Sequence, residues 1–188
     1  MKTLCYLQTK PKRYDARMTQ SYLQRGLITH LPDILQTAMP ASLIGIVCDE
    51  NTQEAAAAKI ARQLEGRATL LCLGKRVKPT IDTCEKLRRQ AARCDALLSV
   101  GSGTITDITK YVAHRLMIPF SAVATAPSMN GYLSPTASLI FGKQRSSVQA
   151  APPKALLADL DILCESPLKM IRAGIGDILC RSSIESDL

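Results

Sequence analysis

Residues 96–107 read ALLSVGSGTITD, and this stretch decides the fold. The apolar run 96–100 suits a strand buried on both faces, and it passes without a spacer into Gly101, Ser102, Gly103 and Thr104. A helical pattern follows over about 104–116, and Pro119 marks the next break. Such a junction brings backbone N–H groups and a helix N-terminus to the carboxyl edge of a sheet. Glycines let the backbone approach a diphosphate, and the helix dipole favours the anion. The spacing is not G-x-G-x-x-G, because Thr106 stands at the third glycine position. The same residues also suit a plain tight turn in which Thr104 and Asp107 cap the helix.

On the N-terminal side, LIGIVC (43–48) and ATLLCL (68–73) read as two more buried strands. After the first, Asn51 and Glu54 have capping-box spacing for an Ala-rich helix that Gly66 stops. Thr80 is placed to cap a helix reaching Arg93. On the C-terminal side, FSAVAT (120–125) is a fourth strand, followed by the turn-rich PSMNGYLSP, and SLIF (138–141) and ALLAD (155–159) are candidates for further strands. Short apolar strands alternating with helices predict an α/β fold: a Rossmann-like parallel sheet with helices on both faces. From Ser166-Pro167, an N-cap/N1 pair, the pattern turns purely helical. We therefore expect a domain boundary near Ser166, with an α/β domain over 1–165 and only the start of a second, truncated domain over 166–188. Only about two turns of helix are expected there, with little to bury Ile178, Leu179 and Ile184.

Composition agrees with a globular chain of 188 residues: 46% are apolar and 21% charged, and Trp is absent, so the core must be aliphatic. No run is long enough to span a membrane, and the opening MKTLCYLQTKPKR makes a poor secretion signal. The seven cysteines never form C-x-x-C, which argues against a disulfide framework or a zinc knot and for the cytoplasm. The net charge of +8 is concentrated in residues 1–30 and 67–93. It suits a phosphorylated metabolite; without a nucleic-acid motif, nucleic acid is not the expected partner.

Four pieces carry chemistry. The first is the glycine turn. The second is Asp49 at the end of its strand, where a carboxylate accepts hydrogen bonds from ribose hydroxyls and repels a 2′-phosphate; a loop-starting Asp beside a helix is the plainer reading. The third is the loop ATAPSMNGYLSPTAS (124–138), rich in Ser, Thr and Asn and set after a strand. The fourth is Asp177 in AGIGD, a carboxylate fit to bind a metal or merely to favour a helix dipole. Neither His30 nor His114 has a partner pattern that suggests catalysis.

Taken in order, VGSGTITDITKYVAHR, PFSAVATAPSMNGYLSP, PPKALLADLDIL and AGIGDILCR resemble the glycerol-1-phosphate dehydrogenase branch of the iron-containing alcohol dehydrogenase superfamily, from about Asp49 to Arg181. Dehydroquinate synthase, which puts NAD on a similar domain, fits these elements less well. The resemblance implies an NAD(P)-dependent, metal-dependent oxidoreductase that reduces dihydroxyacetone phosphate to sn-glycerol 1-phosphate, with its site between an α/β and a helical domain. It implies that Gly101, Ser102, Gly103, Thr104, Ile105, Thr106 and Asp107 hold the cofactor diphosphate. Thr125, Ala126, Pro127, Ser128 and Ser134 would complete the dinucleotide site, with Asp49 near the adenosine ribose. Asp49 and Glu50 tilt the choice toward NAD over NADP. Asn130 stands where the family usually has a substrate-binding Asp, so the charge and any base role are lost there. Asp177 matches the carboxylate that ligates the divalent metal, zinc or a relative, and touches substrate. The family's two histidine ligands would lie downstream, so the metal site is expected to be incomplete and this short chain inactive alone. The competing reading is a non-catalytic NAD(H)-binding module, or a remnant, that needs a partner chain. Apolar surface near 170–188 is expected to drive self-association.

Overall fold

The computed structural model describes residues 19–186, with side chains through Cys180. The basic cluster at 2–17, Cys5 and the side chain of Ile184 lie outside the described residues.

Strand β1 (Gln20–Gln24) leads through a 3-10 turn, Leu27–His30, into helix α1 (Leu31–Ala38). Strand β2 (Ile44–Cys48) is buried along its whole length, and Asp49 follows it directly. The next helix starts as α2 (Glu50–Thr52), widens into a π-helical turn at Gln53–Ala57 and continues as α3 (Ala58–Gln63). Then come β3 (Ala68–Cys72), α4 (Ile81–Gln90), β4 (Ala96–Gly101), α5 (Gly103–Leu116) and β5 (Phe120–Ala124). A hairpin, β6 (Thr136–Phe141) and β7 (Gln144–Gln149), precedes β8 (Ala155–Asp159), α6 (Leu160–Cys164) and α7 (Leu168–Ser186).

Six strands form one parallel sheet in the order β1-β8-β5-β4-β2-β3. Its apolar side chains divide between two clusters. Leu31, Leu35, Ala57 and Ile60 pack on one face with Ile46 and Leu98. Leu87, Ile108, Val112 and the hairpin's Leu139 pack on the other with Val47 and Leu97. The expected α/β, Rossmann-like sheet with helices on both faces is therefore present. The chain winds outward from β2 to β3, crosses back to β4 and continues away through β5. The order thus reverses between β2 and β4, the switch point at whose carboxyl ends doubly wound sheets hold their ligand crevice.

Several local expectations need correction. The helix after β2 is capped by Asp49, not Asn51: Asp49 Oδ1 accepts from the Thr52 N–H at 2.8 Å, and Thr52 Oγ1 accepts from the Asp49 N–H at 3.0 Å. The chain becomes helical immediately after the strand, so the box sits two residues early. Helix α4 begins at its Thr80 cap as expected but ends at Gln90. SLIF is a strand outside the main sheet, paired antiparallel with β7. Ser166 does not cap α7; its hydroxyl donates to the Leu163 carbonyl at 2.7 Å. Helix α7 runs 19 residues instead of about two turns. Edge strand β1 was not expected at all. Its pairing with β8 is reinforced by the Asp159 carboxylate, which accepts from the Ile28 N–H at 2.9 Å.

Candidate dinucleotide site

Gly101 closes β4, and α5 begins two residues later with Ser102 as its N-cap. Ser102 contributes no side-chain cap, so neither it nor the Thr104–Asp107 pair closes the helix start. The first-turn N–H groups are left to face the carboxyl edge of the sheet, where an anion would satisfy them. Ser102, Gly103 and Thr104 are half-buried, whereas Ile105 and Thr106 turn their side chains into the interior, so only their backbone can face a ligand. A Cβ on Gly103 would lie 3.3 Å from the Met129 sulfur, so this turn is closely covered by the 126–134 loop. Across the crevice stands Asp49, half-buried, with Oδ1 engaged in its cap. Its neighbour Glu50 pairs with Lys75 at 3.2 Å.

The loop after β5 is held from below by two residues that the sequence reading passed over. The Tyr132 hydroxyl is buried and donates to the Ala126 carbonyl at 2.8 Å; burial pushes its ionisation well above the ordinary tyrosine range. Lys110, on α5, is fully buried. Its ammonium donates to the Gly131 carbonyl at 2.8 Å, the Thr136 carbonyl at 3.0 Å and Ser134 Oγ at 3.2 Å. Asp107 lies 3.9 Å from the same ammonium and accepts from the Ser138 N–H at 3.2 Å. Burial raises the Asp107 carboxyl above its usual range and lowers the Lys110 ammonium below its own. Asp107 and Ser134 thus spend their side chains on holding the loop. The D-x-x-K spacing on one helix was visible in the sequence, but only burial shows what it does.

Asp177 and Asn130, 47 residues apart, meet: Asp177 Oδ2 accepts from the Asn130 backbone N–H at 2.8 Å. The approach depends on Gly174, where a Cβ would sit 1.7 Å from the Pro127 carbonyl oxygen. Between α7, the loop and the ends of β5 and β8 lies a cavity of about 260 Å³. It is lined mainly by apolar groups such as Ala126, Tyr132, Leu156 and Leu163, with Asn130 and Asp177 at its edge. Thr125 is buried at the end of β5 with its N–H on the Gly101 carbonyl at 3.3 Å, and Pro127 and Ser128 are more open. The structure therefore gathers the glycine turn, the 125–134 loop and Asp177 on one side of the crevice, and Asp49 on the other.

No group of three His, Cys, Asp or Glu side chains able to hold a metal occurs among the described residues. Asp177 is one candidate ligand where about three are needed, so the residues present do not by themselves fit a catalytic metal centre. His30 lies before α1 and His114 near the far end of α5, both remote from Asp177 in the chain.

A parallel sheet covered by helices, with a glycine turn at its switch point, defines an α/β fold of the Rossmann-like kind. The model of the iron-containing alcohol dehydrogenase family matches residues 22–167, and the chain belongs to that family. A glycerol-1-phosphate dehydrogenase [NAD(P)+] of Geobacillus stearothermophilus is 34% identical over 184 residues, covering 94% of this chain and 45% of that protein. A probable glycerol dehydrogenase from Sinorhizobium meliloti 1021 superposes with a TM-score of 0.76 at 21% identity, over 91% of this chain and 49% of that one. A 2-deoxy-scyllo-inosose synthase solved with carbaglucose-6-phosphate, NAD+ and Co2+ superposes at 0.72 with 18% identity, over 84% and 46%. The chain thus spans less than half the length of each of these proteins.

Proposed function

We propose that this chain forms the nucleotide-binding half of an NAD(P)-dependent oxidoreductase acting between dihydroxyacetone phosphate and sn-glycerol 1-phosphate. The carrying observation is the uncapped start of α5 at the switch-point crevice, beside the meeting of Asn130 and Asp177. The Geobacillus relative, a glycerol-1-phosphate dehydrogenase [NAD(P)+], supports the glycerol 1-phosphate end of that pair and the cofactor. The N–H groups of Ser102, Gly103 and Thr104 would bind the diphosphate, with Asp49 at the adenosine ribose. Residues 125–128 would line the nicotinamide end. The bound nicotinamide supplies the hydride. The chain's own task is to fix that ring beside Asn130 and Asp177 and to exclude water with the apolar cavity wall.

Asp49 favours NAD, although the Lys75–Glu50 pair weakens the repulsion of a 2′-phosphate. Residues 1–165 act as the nucleotide domain, and α7 begins a helical one. A zinc or similar ion would take Asp177 and further ligands supplied by another chain or segment; on this reading the chain alone binds cofactor without turnover. The exposed apolar residues of α7 also favour a second reading, an NAD(H)-binding module completed by a partner chain.

Titration of NADH and NADPH fluorescence against the purified protein tests the proposal. Saturable enhancement that is lost in Gly103→Leu supports it; a folded protein that binds neither nucleotide overturns it. NADH binding without turnover of dihydroxyacetone phosphate, even with a partner chain present, would favour the second reading.

A further inference from the structure

We propose that Lys110 is a positioning residue that sets the loop over the nicotinamide end against the glycine turn, and so decides how the second half of a dinucleotide is held. The inference rests on the function proposed above. Lys110 stands on the same helix whose first turn begins at Gly103, fully buried beneath the loop. Its three acceptors, on Gly131 and Ser134 of that loop and on Thr136 where the loop enters β6, all lie beyond Asn130. The donors leave the ammonium tetrahedrally, so three acceptors at 2.8–3.2 Å fix the loop in direction as well as distance.

A purely stabilising lysine has no need of this arrangement, because an aliphatic side chain would fill the same space without the desolvation of a charge. Here the charge is kept, with Asp107 on the same helix 3.9 Å away and Arg145 of β7 acting on that carboxylate from the hairpin. The loop so held carries Met129 over Gly103 and the Asn130 N–H onto Asp177. The diphosphate cradle and the Asn130–Asp177 contact are thereby tied to one helix. Lys110 touches neither cofactor nor substrate and acts only through the loop.

The test compares two probes. ADP needs only the adenosine side and the diphosphate cradle, whereas NADH also needs the nicotinamide end. In Lys110→Met the Kd for NADH should rise about tenfold or more while that for ADP stays within about twofold. The double variant K110M/D107N removes both buried charges and should show the same split with a sounder fold. Equal affinities for both probes in wild type and variants would overturn the proposal. So would parallel loss of both probes, or loss of folded structure by circular dichroism in both variants, since either makes Lys110 a stabilising residue only. Wild-type protein that binds neither probe would instead sink the cofactor reading on which the proposal stands.

Discussion

Cys48 and Cys84 lie on opposite faces of the sheet, each enclosed by aliphatic side chains. Burial pushes both thiols from 9.0 up to about 12. A folded-state value above the unfolded one means that the native protein keeps a proton the unfolded chain gives up. Their contribution is therefore intact below pH 9 and is lost as pH climbs toward 12, by an amount on the order of 1–4 kcal/mol. Denaturant midpoints measured at pH 8 and pH 10.5 should fall in wild type and fall less in Cys84→Ala. Cys164 and Cys180 are exposed, and peptide mapping after brief alkylation at pH 8 should find them labelled ahead of Cys48 and Cys84. At Gly174, the approach to Pro127 leaves no room for a methyl group. Gly174→Ala should push α7 off the loop, break the Asn130–Asp177 bond and cost about 1–3 kcal/mol in a denaturation curve. An unchanged midpoint and an unshifted Asn130 amide resonance would refute that. Asp49, Gly101 and Asp177 were legible as candidates because strand ends and glycines mark themselves in sequence. Lys110 and Tyr132 were not, because a buried lysine and a surface lysine are written alike.

At the scale of elements, the central strands announced themselves. IGIVC, ALLSVG and FSAVA are buried at every position, and an uninterrupted apolar run has few other places to go. Strand β1, QSYLQ, is polar and mostly exposed, so nothing in its composition distinguishes it from a loop; only the neighbouring β8 makes it a strand. Helix α7 was expected from Ser166-Pro167 onward but only as about two turns. Its 19 residues include Gly174 and Gly176, each costing about 1 kcal/mol in a helix, and Gly174 is where it meets Pro127. The cap at Asp49 was read two residues late, at Asn51, although an Asp starting a loop beside a helix was already the plainer reading of that residue. Asp49→Ala should thus weaken NADH binding and also lower stability by about 1 kcal/mol, whereas Asp49→Asn should restore the cap more fully than the affinity. Loss of neither property would leave Asp49 without either role.

Across the whole molecule, apolar surface is unevenly spread. Leu168, Ile175, Ile178 and Leu179 are all more than half exposed on one helix, beside the cavity that α7 helps to line. No helix of the described residues is long and apolar enough to cross a membrane. An exposed apolar patch of this kind marks an interaction surface. Light scattering should show the chain self-associating, and an Ile175→Glu, Ile178→Glu pair should return it to monomer; a wild-type monomer that binds no hydrophobic dye would count against this.

The pairing of the first strand with the last also bears on how the molecule is made. The bond from Ile28 to Asp159 joins residues 131 positions apart. On a ribosome, β1 emerges early and waits through the synthesis of the whole central sheet before its neighbour exists. The closure is a long loop, entropically slow, and the core strands must assemble with one flank open in the meantime. Chains that end before Ala155 should therefore be cut between residues 20 and 30 by a brief protease pulse, and released chains that include β8 and α6 should resist cleavage there.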